Sequence, residues 1–253
     1  MRVSKANVEL GELDAVRWLE RLPSESIDLL VTDPPYESLE KHRAVGTTTR
    51  LKVSAGSSNQ WFSIFPNARL PELFREAFRV LKDDTHFYLM CDAETAFIAK
   101  PLAECAGFRF WKPLVWDKCT IGMGYHYRAR YEFVLFFEKG KRRLNDLGVA
   151  DVLAVPRVRA GYPAEKPVAL CETLIKQSTQ VGEIVADPFM GSGSCGVAAL
   201  GSSRRFVGND LASGALALTR TRLQALGGVE GVVVPATGCD SGTQQALFAR
   251  VAP

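Results

Sequence analysis

The chain has 253 residues and 27.8 kDa, of which 47% are hydrophobic and 23% charged. That composition excludes a disordered, collagenous or coiled-coil protein and suits one sizeable domain. The formal charge of +3 permits nucleic-acid binding without requiring it, and the lack of a signal-like or membrane-length apolar run predicts a soluble, cytoplasmic protein.

Short apolar runs rich in β-formers alternate with helix-period segments, which predicts an α/β fold with a mostly parallel sheet. The first helix is expected at 14–21 and the first strand at 27–32, followed by a long surface loop over 37–65, rich in Gly, Ser, Thr and basic residues. Next come a helix at 71–81, a strand at 85–91, a helix at 93–105 and strands at 108–116 and 131–138. An irregular basic stretch, 139–163, leads to a helix at 167–178. Strand 183–186, helix 194–200, strand 205–209 and helix 213–226 complete a single domain over 1–226, and 227–253 reads as a strand with a weakly ordered tail. Pro71 and Pro167 suit first helical turns, where a missing N–H costs nothing.

Six cysteines are scattered without a C-x-x-C pair, and there are only three histidines, so no metal site is expected and free thiols in a reducing compartment are. Neither a G-x-S-x-G elbow nor a G-x-x-x-x-G-K-[ST] loop occurs.

Two constellations can carry chemistry. The first, Asp33-Pro34-Pro35-Tyr36, follows the apolar strand at once, where open α/β sheets bind ligands. Asp33 and the rigidly held Pro34 carbonyl could together accept both hydrogens of an exocyclic amino group, and Tyr36 could stack on the ring that bears it. A proline-rich turn that merely ends a strand is the plain alternative. The second, Asp187-Pro188-Phe189-Met190-Gly191-Ser192-Gly193, opens a G-x-G-x-x-G loop completed by Gly196. Asp210 lies about 20 residues on, the spacing of a ribose-binding carboxylate. A nicotinamide dinucleotide competes for this loop, but Asp187 would repel a pyrophosphate and would accept a cationic, phosphate-free adenosine ligand.

These motifs resemble the amino-group DNA methyltransferases that use S-adenosylmethionine (AdoMet), and their order, catalytic tetrapeptide first and glycine loop last, is that of the permuted β class. The likeness extends to Ser26-Ile27-Asp28-Leu29-Leu30-Val31-Thr32, to the strand Tyr131-Glu132-Phe133-Val134-Leu135-Phe136-Phe137-Glu138 ending in Lys139-Gly140, to Glu165-Lys166-Pro167 and to Gly208-Asn209-Asp210. It implies a Rossmann-like methyltransferase fold, a mostly parallel twisted sheet with helices on both faces. It also implies methyl transfer from AdoMet to adenine N6 in double-stranded DNA, at specific sites, by base flipping and direct in-line attack. Asp33, Pro34, Pro35 and Tyr36 would be catalytic. Asp187, Pro188, Phe189, Gly191, Ser192 and Gly193 would form the AdoMet loop, with Asp210 on the ribose and Lys166 near the methionine carboxylate. Asp14 and Ala15 match the family's early pair near the cofactor adenine, although Leu13 stands where glycine is usual and Asp14 reads equally as a helix N-cap.

The first-position aspartate leans toward adenine, with cytosine N4 as the alternative. RNA or protein amine methylation, a nicotinamide oxidoreductase and a DNA-binding module without catalysis fit less well. Cytosine C5 chemistry is rejected because no Pro-Cys occurs. The segment left for target recognition, 141–165, is short, so either a short site is recognised, or 37–65 shares the work, or a second subunit of a homodimer does. Lys141, Arg142, Arg143, Arg157 and Arg159 are candidates for DNA backbone contacts, and Tyr125 and Arg128 for a further nucleic-acid contact. In the tail, Gln244, Leu247 and Phe248 resemble a Gln-x-x-Leu-Phe sliding-clamp peptide.

Overall fold

The computed structural model describes residues 8–38, 63–122, 126–159, 162, 164–226 and 232–234. Tyr125, most of the 37–65 segment and the tail with Gln244, Leu247 and Phe248 lie outside the described residues. In chain order the elements are β1 (Val8–Gly11), α1 (Ala15–Arg21), β2 (Ile27–Thr32), α2 (Leu70–Val80), β3 (Leu81–Cys91), α3 (Ala93–Cys105), β4 (Arg109–Asp117) and β5 (Tyr131–Lys139). They continue with β6 (Val152–Ala154), α4 (Val168–Ser178), β7 (Ile184–Asp187), α5 (Ser194–Gly201), β8 (Arg205–Asn209), α6 (Ser213–Ala225) and β9 (Val232–Val234). The expected helices and strands are present, with ends shifted by a few residues. The sequence reading missed β1 and β6, of four and three residues, because so short a run shows no period.

The strands form one sheet in the order β6-β4-β5-β3-β2-β7-β8-β1-β9, in which only β5 runs against the rest. The sheet is covered on both faces, which is why β2 is buried along its whole length and reads as a continuous apolar run. Leu30 packs with Phe74, Phe87 and Leu19 beneath α1, α2 and α3. Leu29 and Val31 point the other way, into a cluster with Tyr88 of β3, Leu170 and Leu174 of α4 and Leu216 of α6. The one charge within β2, Asp28, accepts the Lys82 ammonium at 2.6 Å and the Ile184 amide at 2.9 Å, so its burial is compensated.

The connectivity decides where a ligand can sit. From β2 the chain steps outward to β3, passes over one position to β4, fills the gap with β5 and reaches the edge at β6, then returns to β7 on the other side of β2. The connections therefore diverge between β2 and β7, which leaves a crevice at their carboxyl ends. Thr32, the last residue of β2, donates to Asp187, the last of β7, at 3.1 Å and closes the floor of that crevice. Fully buried Asn209 holds the neighbouring loops. Its amide nitrogen donates to the Leu13 and Pro188 carbonyls, and its oxygen accepts from Leu13 N. Among the described residues no helix is long and apolar enough to cross a membrane.

Candidate active site

The crevice is a cavity of about 490 Å³, within the usual size range for small-molecule sites. Its walls include Leu13, Asp14 and Ala15 after β1, Asp33 to Tyr36 after β2, Glu132 of β5, Lys166 before α4, Asp187 to Ser192 after β7, and Asp210 after β8. The tetrapeptide and the glycine loop, far apart in the chain, thus share one cavity because β2 and β7 are neighbours.

Asp33 has its two oxygens differently engaged. Oδ1 accepts the Tyr36 hydroxyl at 2.5 Å, and Oδ2 pairs with the Lys166 ammonium. Burial pushes the Asp33 carboxyl above its ordinary value, with the Lys166 charge opposing it. Burial works against the Lys166 ammonium too, but Asp33 and Glu132 outweigh it and hold that pKa above the usual lysine range. Burial, then the Asp33 charge, raises the Tyr36 phenol well above 10.0, so it stays a donor. Tyr36, which the sequence reading sets against a base, lines the cavity with a ring that is 8% exposed, and its hydroxyl is bonded to Asp33.

The glycine loop turns because Gly191 and Gly193 take positive φ, at 50° and 78°. A Cβ on Gly193 would stand 2.6 Å from the Thr219 side chain, so the loop lies tight against α6. Gly193 serves as the N-cap position of α5 and is not among the residues lining the cavity, unlike Gly191 and Ser192. Asp210 accepts the Gly191 amide and the Ala212 amide, each at 2.9 Å. An amide of the loop is therefore already bonded to a carboxylate, which suits a neutral or cationic nucleoside ligand better than a phosphate. Phe189 meets Phe65 edge to face at 5.1 Å, and the Arg69 guanidinium lies 5.2 Å from the Phe65 ring centre.

Asp14 caps α1 through the Val16 and Arg17 amides and also pairs with Arg69 at 2.6 Å, which holds its carboxyl below the ordinary value. The N-cap reading of this residue is thus realised on the wall of the cavity.

The basic residues divide between the two edges of the sheet. Arg128 lies in the β4–β5 connection and Arg157 and Arg159 follow β6, all exposed on the edge that holds the cavity. Lys141, Arg142 and Arg143 do not join them. Because β5 runs antiparallel, its end at Lys139 pairs with Thr85 at the start of β3, on the opposite edge. Arg142 is also committed to Glu183 at 2.9 Å. The segment 141–165 is thus divided between the two edges of the sheet.

Sequence reasoning passed over Glu132, Lys118, Trp116, Phe65 and Arg69. Glu132 is a charge inside an apolar strand, and that was the one available signal. It accepts the Lys118 ammonium at 2.6 Å and lies 3.5 Å from Lys166, whose ammonium is 5.8 Å from the Trp116 ring centre. Among the described residues no cluster suited to a metal ion is present.

Asp187 is the most buried carboxylate of the cavity, accepting from Thr32 Oγ1 and Phe189 N at 3.1 Å, and burial pushes it up to about 7. The folded carboxyl keeps its proton to about pH 7, whereas an unfolded aspartate loses it near 3.8, so this group lowers stability as pH rises through that interval. Asp187→Asn should therefore raise the ligand-free melting temperature relative to the parent at pH 8 and less so at pH 4. An equal shift at both pH values in calorimetry would contradict this.

A family model described as DNA methylase matches residues 27–160 and 150–220. YubD of Escherichia coli (strain K12) is 31% identical over 202 residues, covering 78% of this chain and 82% of YubD. The DNA adenine methyltransferase YhdJ of the same organism is 28% identical over 240 residues, covering 79% of this chain and 77% of YhdJ. In fold, the chain is similar to a Thermus thermophilus protein, TTHA0409, complexed with S-adenosyl-L-methionine, with a TM-score of 0.69 at 20% identity, covering 91% of this chain and 99% of that one. The cavity at the β2–β7 divergence and a family match that covers most of the described sheet agree: the chain belongs to the N6/N4 DNA methylase family of AdoMet-dependent DNA methyltransferases.

Proposed function

We propose that this methyltransferase acts on the exocyclic N6 amine of adenine in DNA. The observation that carries the reading is that Asp33 and the glycine loop open into one cavity. The first-position aspartate supports adenine, as does the similarity to a relative named as an adenine methyltransferase.

AdoMet, when bound, supplies a methyl group on a positively charged sulfur. Asp187, Phe189, Gly191, Ser192 and Asp210 would hold it, with Asp14 and Ala15 at the far wall; Asp187 and Asp210, flanking a glycine loop whose Gly191 amide is already bonded to Asp210, fit a cationic nucleoside. The chain's own chemistry is at Asp33. An adenine amine is a weak nucleophile because its lone pair is delocalised into the ring. A carboxylate oxygen of Asp33 and the Pro34 carbonyl accept its two N–H bonds, which favours a tetrahedral nitrogen with a free lone pair. The same carboxylate stabilises positive charge on that nitrogen and, pushed upward by burial, can hold the proton the amine sheds. Tyr36 fixes the rotamer of Asp33 through its hydroxyl. The amine is out of reach inside a stacked duplex, so the base turns out of the helix into the cavity. Arg128, Arg157 and Arg159 hold the flanking backbone.

The test is transfer of labelled methyl from AdoMet to unmethylated DNA, followed by nucleoside analysis. The label is expected in N6-methyladenine, and Asp33→Ala should lower the rate by about 100-fold or more with AdoMet still bound. Label in N4-methylcytosine would overturn the choice of base. On the DNA side, replacing Arg157 or Arg159 by Ala should reduce the slope of log K against log salt by about 0.9 per lost phosphate contact. Lys141→Ala, on the far edge, should leave that slope unchanged. The opposite pattern in a salt titration would reject this docking face.

A further inference from the structure

The surroundings of Asp33 include an ionic arrangement that the reaction above does not use. Lys166 Nζ stands between two carboxylates, bonded to Asp33 Oδ2 and 3.5 Å from Glu132 Oε2. Glu132 is anchored by its other oxygen, which accepts the Lys118 ammonium at 2.6 Å. Oε2 itself is sealed from solvent and has no hydrogen-bond partner among the described residues. A buried carboxylate oxygen without a donor is costly, and native structures keep few of them. Here the nearest donor is the ammonium that Asp33 now holds.

That arrangement conflicts with the needs of the target amine. Tyr36 occupies Oδ1 of Asp33 and Lys166 occupies Oδ2, so the ammonium neutralises the very charge that must face the amine. The gap to Glu132 Oε2 exceeds an ordinary charge-assisted hydrogen bond of about 2.8 Å by less than an ångström or so. A small swing of the lysine head would complete that bond and release Asp33. Resting on the proposed reaction at Asp33, we propose that Glu132 is a positioning residue for methyl transfer. It takes the Lys166 ammonium when the target amine enters, so that Asp33 meets the amine as a free carboxylate. Lys118 keeps Glu132 in place for this exchange. The competing explanation is that the four charges merely clip the segment before α4 to the β4–β5 hairpin, which predicts a loss of stability and nothing else.

Glu132→Gln separates the two. Methyl transfer is followed in a single turnover, with enzyme in excess over unmethylated genomic DNA and saturating labelled AdoMet, across a range of pH. AdoMet affinity is measured by calorimetry and folding by thermal melting. The groups that act on Asp33 are Tyr36, Lys166 and Glu132, with Cys91 of β3 and Asp187 of β7 nearby. Losing the Glu132 charge removes an influence that raises the Asp33 pKa and leaves Lys166, which lowers it. The variant should therefore react about tenfold or more slowly, with its acid limb moved to lower pH. AdoMet affinity should stay within about twofold. Because Glu132 affects the rate by taking the lysine away from Asp33, the double variant with Lys166→Met should be no slower than Lys166→Met alone. Should Glu132→Gln fold poorly, Glu132→Asp keeps the charge and shortens its reach, and a slower rate with parental melting is expected of it. A parental rate and pH profile in a folded Glu132 variant would overturn the inference while leaving the proposed reaction intact, and so would multiplicative losses in the double variant. Failure of the parent enzyme to methylate either base would overturn both.

Discussion

A carboxylate placed in the interior of a protein must find a cation or several donors, because its uncompensated burial costs several kcal/mol. The cavity depends on how Asp33 meets that demand. It sits at the carboxyl end of the central strand, with Tyr36 on one oxygen and Lys166 on the other. Lys166 in turn brings the segment before α4 against the end of β2, and through Glu132 it brings in the β4–β5 hairpin. Elements distant in the chain thus converge on one charge.

The single reversed strand has two opposite consequences. By running against its neighbours, β5 starts on the cavity edge and delivers Glu132 there. It ends on the far edge, and so it carries Lys141, Arg142 and Arg143 away from any DNA held at the cavity. The parallel strands β7, beside β2, and β8, beside β7, instead end on the cavity edge, which sets Asp187 and Asp210 on either side of the glycine loop. Asp187 is buried and Asp210 half-buried, neither with a cation bonded to it among the described residues, and a positively charged ligand would relieve that cost.

Much of this could be read from the residues. The apolar run of β2 followed by Asp33-Pro34-Pro35-Tyr36, and the glycine loop between β7 and α5, are local signals that survive folding unchanged. Asp187 and Asp210 could be placed because their spacing from the glycines is short. Pairings across the sheet could not. Nothing near Lys166 in the chain says that its partner is Asp33, or that Glu132 stands on the other side. Both follow from the pairing of β5 with β3 and of β3 with β2, and from the packing of α4 against β2 and β3. For the same reason, nearness in sequence to Arg157 and Arg159 does not bring Lys141, Arg142 and Arg143 to the same edge. Asp14 shows that two readings of one residue can both hold, since it caps α1 and still lines the cavity.

The central claim is that the Asp33 carboxylate receives the amine of an extruded base. A crystal structure with S-adenosylhomocysteine and a duplex containing the methylation site tests it most directly. The account predicts one base turned out of the helix, its amino nitrogen within hydrogen-bonding distance of both an Asp33 oxygen and the Pro34 carbonyl. A base that remains stacked, or an amino group lying away from Asp33 in such a complex, would contradict it.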